Sequence, residues 1–188
     1  MIDFRKVRFI VSAPSLKEKP LDGKPALLFV GRSNVGKSTL INSLCAQKIA
    51  FSSKKAGKTK LLNYFLVDDA FYLVDAPGYG STIYANLSTI NFANMMEEYV
   101  KERSLKAIVF LLDLRHAPGK DDVEFIRYLQ KCRVPLINVL TKCDQMNQKE
   151  LGAALKMAKE LGIQDPILSK GDTRSLDPLK AAIMKALA

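Results

Sequence analysis

The apolar positions of this 188-residue chain fall into runs of two kinds, and their order predicts an architecture. Residues 26–30 (ALLFV), 107–112 (AIVFLL) and 135–140 (PLINVL) are continuous apolar stretches, the pattern of parallel strands buried on both faces. Residues 61–67 and 70–74 flank Asp68-Asp69 and predict a hairpin, while 7–11 and 166–168 predict shorter strands. Helical spacing alternates with these runs. Residues 37–47 put Leu40, Ile41 and Leu44 on one face, Pro118 can open a helix reaching residue 131, and 151–161 and 176–187 supply two more. Pro14, Pro20, Gly23 and Pro25 punctuate the stretch before residue 26. The alternation predicts an α/β fold with a mostly parallel sheet, in one domain over 1–188 on which the strand and loop of residues 1–25 pack.

Composition narrows the setting. A hydrophobic fraction of 48% is a globular value, and no apolar run approaches the length of a membrane span. Residues 1–10 (MIDFRKVRFI) carry charge without a signal-peptide apolar segment, so a soluble, cytoplasmic protein is expected. A monomer is expected as well. Cys45, Cys132 and Cys143 are odd in number and lack the short paired spacing of a zinc or redox site, so they read as reduced thiols. A net charge of +10 creates a field that attracts polyanions, RNA foremost, although lysines also simply solubilise helix surfaces.

Motifs decide more. Gly31-Arg32-Ser33-Asn34-Val35-Gly36-Lys37-Ser38, followed by Thr39, matches GxxxxGK[ST] between a predicted strand and a predicted helix. Its glycines let backbone N–H groups and a helix N-terminus face phosphates, Lys37 neutralises β- and γ-phosphate charge, and Ser38 is placed to ligate Mg²⁺. Asp75-Ala76-Pro77-Gly78 follows a strand, so Asp75 can hold the metal's hydration shell and Gly78 can turn its N–H to the γ-phosphate. Thr141-Lys142-Cys143-Asp144 supplies a carboxylate that accepts from both N1–H and the exocyclic amine of guanine, a donor pair adenine lacks. Thr59, within Gly57-Lys58-Thr59, reads as the hydroxyl of a first switch over residues 52–60, able to reach Mg²⁺. Leu168-Ser169-Lys170 stands beyond the last predicted strand, where backbone N–H groups can meet the base, but the following residues are equally good turn chemistry.

The segments GRSNVGKSTLIN from Gly31, GKTKLLN from Gly57, DAPGYG from Asp75 and DLRHAP from Asp113 go beyond general nucleotide-binding motifs. Through them the chain resembles, from about Val7 to the C-terminal helix, the EngB (YihA/YsxC) family of ribosome-biogenesis GTPases, among the Era/TrmE-like P-loop GTPases. The resemblance implies a P-loop GTPase fold with about six strands, one of them antiparallel, and helices on both faces. It also implies GTP or GDP and Mg²⁺ as ligands, and action on the large ribosomal subunit through rRNA or ribosomal proteins. Two features depart from relatives. The second switch, residues 81–96 (STIYANLSTINFANMM), carries no charge, and Ser169-Lys170 lacks a second small residue and a well-placed downstream glycine.

Tyr79 follows the DxxG glycine where many GTPases have glutamine, and a phenol cannot supply an amide's paired donor and acceptor, so slow intrinsic hydrolysis is expected. Related GTPases with GRxNxGKS loops use the asparagine to hold potassium, which makes Asn34 a candidate potassium ligand, although asparagine is also a turn former. Lys37, Thr59, Gly78 and Asn34 are thus the residues expected to act in hydrolysis. His116, the single histidine, belongs to a different motif from the phosphate loop. A binding module in which hydrolysis is incidental is the competing reading. A membrane or septin-like assembly GTPase would need an anchor that the short termini leave little room for.

Overall fold

The computed structural model describes residues 2–51, 61–80 and 85–188, with side chains from 92 onward in the last stretch. Seven strands form one sheet: β1 (Val7–Ala13), β2 (Ala26–Gly31), β3 (Leu62–Val67), β4 (Phe71–Asp75), β5 (Leu105–Leu112), β6 (Leu136–Leu140) and β7 (Ile167–Leu168). Their order is β1-β3-β4-β2-β5-β6-β7. β3 pairs antiparallel with both its neighbours and is the one strand against the common direction, while β4, β2, β5, β6 and β7 pair in parallel. The count is close to the six or so that the resemblance implies, and all seven strands fall on apolar runs read from the sequence. β1, foreshadowed by residues 7–11, runs along β3 from Val7↔Val67 to Ala13↔Leu62, with a bulge between Phe9 and Val11, and forms that edge of the sheet.

Among the described residues five α-helices join them: α1 (Lys37–Cys45), α2 (Ala85–Tyr99), α3 (Lys120–Lys131), α4 (Gln148–Glu160) and α5 (Asp177–Leu187). Strand alternation divides the interior. Leu28 and Val30 join Tyr64, Met96, Tyr99, Phe110 and Leu129 in one core, and Leu27 and Phe29 join Ile41, Leu44, Phe71, Leu179 and Ile183 in the other. Both faces of the central strands are thus dry, the reason their sequences read as unbroken apolar runs. The hairpin turns at Asp68-Asp69, both with positive φ, closed by a 2.9 Å bond from the Ala70 N–H to the Val67 carbonyl.

Local chemistry moves two helix starts and adds one helix. From Ala85, inside the second-switch segment, the chain forms the 15-residue helix α2. Its stripe of Phe92, Met96 and Tyr99 is buried, but a serine-, threonine- and asparagine-rich start with weak helix propensity disguises it. α4 begins at Gln148 rather than 151, because Asn147 caps the Glu150 N–H at 3.0 Å and the Glu150 carboxylate accepts from the Asn147 N–H at 2.8 Å. α3 begins at Lys120, two residues after Pro118, where the Asp122 carboxylate accepts from the Gly119 N–H at 2.9 Å.

Candidate functional site

β2, β4, β5, β6 and β7 share one direction, so the segments that follow them all emerge at one end of the sheet. The loop from Gly31 leaves β2 and feeds α1. Asn34 (φ 65°) and Gly36 (φ 102°) both take left-handed conformations, and Gly36 is the residue from which α1 starts. The loop thereby wraps around the unpaired N–H groups of the first helical turn, an arrangement that suits anionic oxygens. Val35 is buried, Ser33, Gly36 and Ser38 are half-buried, and Arg32, Asn34 and Thr39 are exposed around it.

Asp75 ends β4 beside this loop and is ion-paired with Lys37, the two side chains being 8% and 12% exposed. The segment after Asp75 is stitched to the loop. The Ala76 N–H donates to the Phe29 carbonyl at 3.1 Å, and Pro77 carries the chain on to Gly78. Arg32 and Tyr79 form a β-bridge, with the Ser33 N–H on the Tyr79 carbonyl at 2.9 Å and the Tyr79 N–H on the Gly31 carbonyl at 3.2 Å. Gly78 lies so close that a Cβ there would sit 2.9 Å from the Cα of Ser33. The Tyr79 ring turns inward against Phe125 and Phe92, with centroids 4.7 and 5.7 Å away. Burial first, and then the Asp122 carboxylate, pushes its phenol well above the usual tyrosine range. That same carboxylate takes a 2.7 Å bond from the Arg32 guanidinium.

On the other side of the loop, Thr141 is buried at the end of β6, where its hydroxyl donates to the Val35 carbonyl at 2.7 Å. Lys142 donates to the Asn34 carbonyl at 2.8 Å and approaches Asp113 to 3.0 Å. The Cys143 N–H bonds to the Ser169 carbonyl at 3.1 Å, and the Ser169 N–H to the Leu140 carbonyl at 2.8 Å. Leu168 and Ser169 are therefore drawn under the short turn Cys143–Gln145, which holds Asp144 exposed, and Lys170 is exposed beyond them. Gly57, Lys58 and Thr59 lie outside the described residues. Every other nucleotide-site residue named from the sequence comes to this one end.

The arrangement offers N–H donors and an ammonium for phosphate, hydroxyl and carboxylate oxygens for a hard cation, and an outward carboxylate at a distance along the groove. Among the described residues no group of three or more His, Cys, Asp or Glu side chains could hold a metal unaided. Comparison with known proteins narrows this chemistry. Residues 26–142 match the family described as 50S ribosome-binding GTPase. The chain is 40% identical over 161 residues to a probable GTP-binding protein EngB of Geobacillus kaustophilus, covering 85% of this chain and 83% of that one. The chain belongs to the EngB family of GTP-binding proteins and is a GTPase. A second relative, the probable EngB of Chlorobaculum tepidum, is 42% identical over 148 residues, 78% of this chain and 77% of that one. Among solved structures, a probable GTP-binding protein engB aligns with a TM-score of 0.63 at 23% identity, over 86% of this chain and 98% of that one. Era in complex with MgGDPNP and nucleotides of 16S ribosomal RNA aligns at 0.64 and 24%, over 87% and 57%. These likenesses establish the P-loop GTPase fold.

Two features escaped the sequence. Asp122 is 90 residues from Arg32, and no local spacing announces their contact. Asp113 and Arg115 stand in the quoted DLRHAP segment, but only the sheet order brings them to the base side of the site.

Proposed function

We propose that this GTPase binds GTP and GDP with Mg²⁺ and is an assembly factor for the large ribosomal subunit, its nucleotide state controlling association with rRNA or ribosomal proteins. The observation that carries the nucleotide reading is the convergence of three motifs, 31–39, 75–78 and 141–144, on one end of the sheet, tied together through Lys37–Asp75, Ser33–Tyr79 and Lys142–Asn34. Lys37 and the first N–H groups of α1 bind the β- and γ-phosphates, and the Gly78 N–H binds the γ-phosphate. The Ser38 hydroxyl fits Mg²⁺ as a direct oxygen donor and the Asp75 carboxylate fits its hydration shell, since this ion keeps waters and phosphate oxygens and so needs few protein ligands. When bound, that ion neutralises phosphate charge. The Asp144 carboxylate accepts from guanine, with Leu168, Ser169 and Lys170 lining the base. Thr59, with Gly57 and Lys58, serves as the first switch.

Hydrolysis is slow in this reading, because the Tyr79 ring is packed among Phe92 and Phe125 and 8% exposed, and so is not turned toward an attacking water. Asn34, exposed on the phosphate loop, is the candidate to bring potassium to the β- and γ-phosphates in place of an arginine. The same burial of Tyr79 favours the second reading, a GTP-dependent binding module in which hydrolysis is incidental. The matched family's description supports the large subunit, and the charge of +10 supports an rRNA contact. In this reading the protein acts in the cytoplasm as a monomer.

Co-sedimentation with purified large subunits tests the proposal. More protein should pellet with a non-hydrolysable GTP analogue than with GDP, and binding should fall steeply as salt rises from about 50 to about 200 mM. No association in either nucleotide state would overturn it.

A further inference from the structure

Asp113 and Arg115, the charged pair of the DLRHAP segment, meet the base side of the site, while Leu114 between them is buried in the core. β5 and β6 are parallel neighbours in register Leu112↔Leu140, so residue 113 emerges beside residues 141 and 142. The Thr141 N–H bonds back to the Leu112 carbonyl at 2.8 Å. One oxygen of Asp113 lies 3.0 Å from the Lys142 ammonium and 2.8 Å from Nη2 of Arg115, and the other accepts Nε of Arg115 at 2.9 Å. Arg115 extends further and donates through Nη1 to the Gln145 side chain. Lys142 has its other bond on the Asn34 carbonyl of the phosphate loop.

These contacts answer a local strain. Lys142 has φ 59°, a left-handed conformation that a non-glycine residue adopts with strain. The backbone needs that bend to pass from β6 into the turn Cys143–Gln145, which presents Asp144. The Lys142 side chain is tied on both sides of that bend, to the Asn34 carbonyl and to Asp113. The three charged side chains are 20–29% exposed, so solvent screens them only in part. Burial alone would raise the Asp113 carboxyl, but hydrogen bonds from Arg115 and Lys142 outweigh it and hold the group down at about 2, a charged anchor at any physiological pH.

We infer that Asp113 and Arg115 are positioning residues for guanine recognition: Asp113 fixes Lys142 between the phosphate loop and the base loop, and Arg115 fixes the turn that carries Asp144 through Gln145. Neither acts on the base directly; each sets the angle from which Asp144 meets it. The inference rests on the reading of Asp144 as the base-recognising carboxylate.

The experiment uses the full chain and fluorescent GDP and IDP, since inosine lacks the exocyclic amine and reports whether both donors are met. Asp113→Asn and Arg115→Ala should each weaken GDP roughly tenfold, the scale of one charge-assisted hydrogen bond, mainly through faster dissociation. They should weaken IDP less, narrowing the GDP-to-IDP ratio, and Arg115→Lys should recover part of the loss. In a Lys142→Met background, Asp113→Asn should have little further effect on GDP, as expected if it acts through that ammonium. Equal losses for GDP and IDP that track a fall in melting temperature would overturn the inference, as would unchanged binding. Asp144→Asn is run beside them. If it retains guanine preference, the reading of the base site fails; if it gains xanthine nucleotide while Asp113→Asn and Arg115→Ala stay silent, only the positioning role fails.

Discussion

Gly78→Ala tests the contact that makes the phosphate loop and the segment after Asp75 one structure. The new methyl would lie 2.9 Å from Cα and Oγ and 3.0 Å from the backbone N of Ser33, and backbone cannot yield as a flexible side chain can. Relief requires the two segments to part by several tenths of an ångström, at the expense of the Ser33–Tyr79 and Tyr79–Gly31 hydrogen bonds of 2.9 and 3.2 Å. Overpacking of this kind costs about 1–3 kcal/mol, which in a domain of this size lowers the melting temperature by roughly 2–4 °C per kcal/mol. In the proposed function the Gly78 N–H binds the γ-phosphate, so affinity for a GTP analogue should fall further than affinity for GDP. Urea titration of the nucleotide-free chain measures the first effect, and calorimetry with both nucleotides the second. A variant with unaltered stability would refute the steric argument, and one losing GDP and GTP affinity equally would refute the role of this N–H.

Other variants probe separate parts of the account. Asp144→Asn should weaken GTP and favour xanthine nucleotide, since an amide can donate to the C2 carbonyl where a carboxylate only accepts; competition binding with GTP and XTP reads it, and retained GTP preference refutes the assignment. Lys37→Met should lose nucleotide and also destabilise the nucleotide-free chain by about 3 kcal/mol, because it strands the buried Asp75 carboxylate; unaltered urea unfolding would contradict that. GTP turnover should be faster in potassium than in sodium, and Asn34→Ala should abolish the difference, whereas equal rates in both salts would remove Asn34 from the mechanism. Asp113 has its folded pKa lowered from 3.8 to about 2, so its contribution to stability is present above the unfolded value and is lost as pH falls between the two. The stability gap between the wild-type chain and Asp113→Asn, followed by urea unfolding, should therefore be constant above about pH 5 and close below pH 4; a gap independent of pH would sink this reading.

Much of the fold is legible in the sequence. The central strands were legible because burial on both faces leaves no polar alternation, and the phosphate loop because its glycine, lysine and serine spacing has few other uses. α2 was not, since its buried residues Phe92, Met96 and Tyr99 follow a polar, weakly helical start and its stability comes from packing. The start of α4 was available in Asn147 and Glu150, a capping pair that apolar spacing alone passes over. Tyr79 is the instructive residue at the site. Its identity announced the missing glutamine, but its direction was set by Phe92 and Phe125, residues that share no local pattern with it. Likewise, Asp113 and Lys142 are 29 positions apart in sequence, and the parallel pairing of β5 with β6 is what makes them neighbours.

The proposed function makes the GTP cycle of this chain the control on its association with the large ribosomal subunit, so the subunit should in turn act on hydrolysis. Single-turnover hydrolysis, followed with the protein alone, with small subunits and with large subunits, tests it most directly. The account predicts slow cleavage alone and with small subunits, and acceleration by large subunits that fades as salt is raised. The same slow rate in all three conditions would contradict it and leave GTP as the ligand of a binding module.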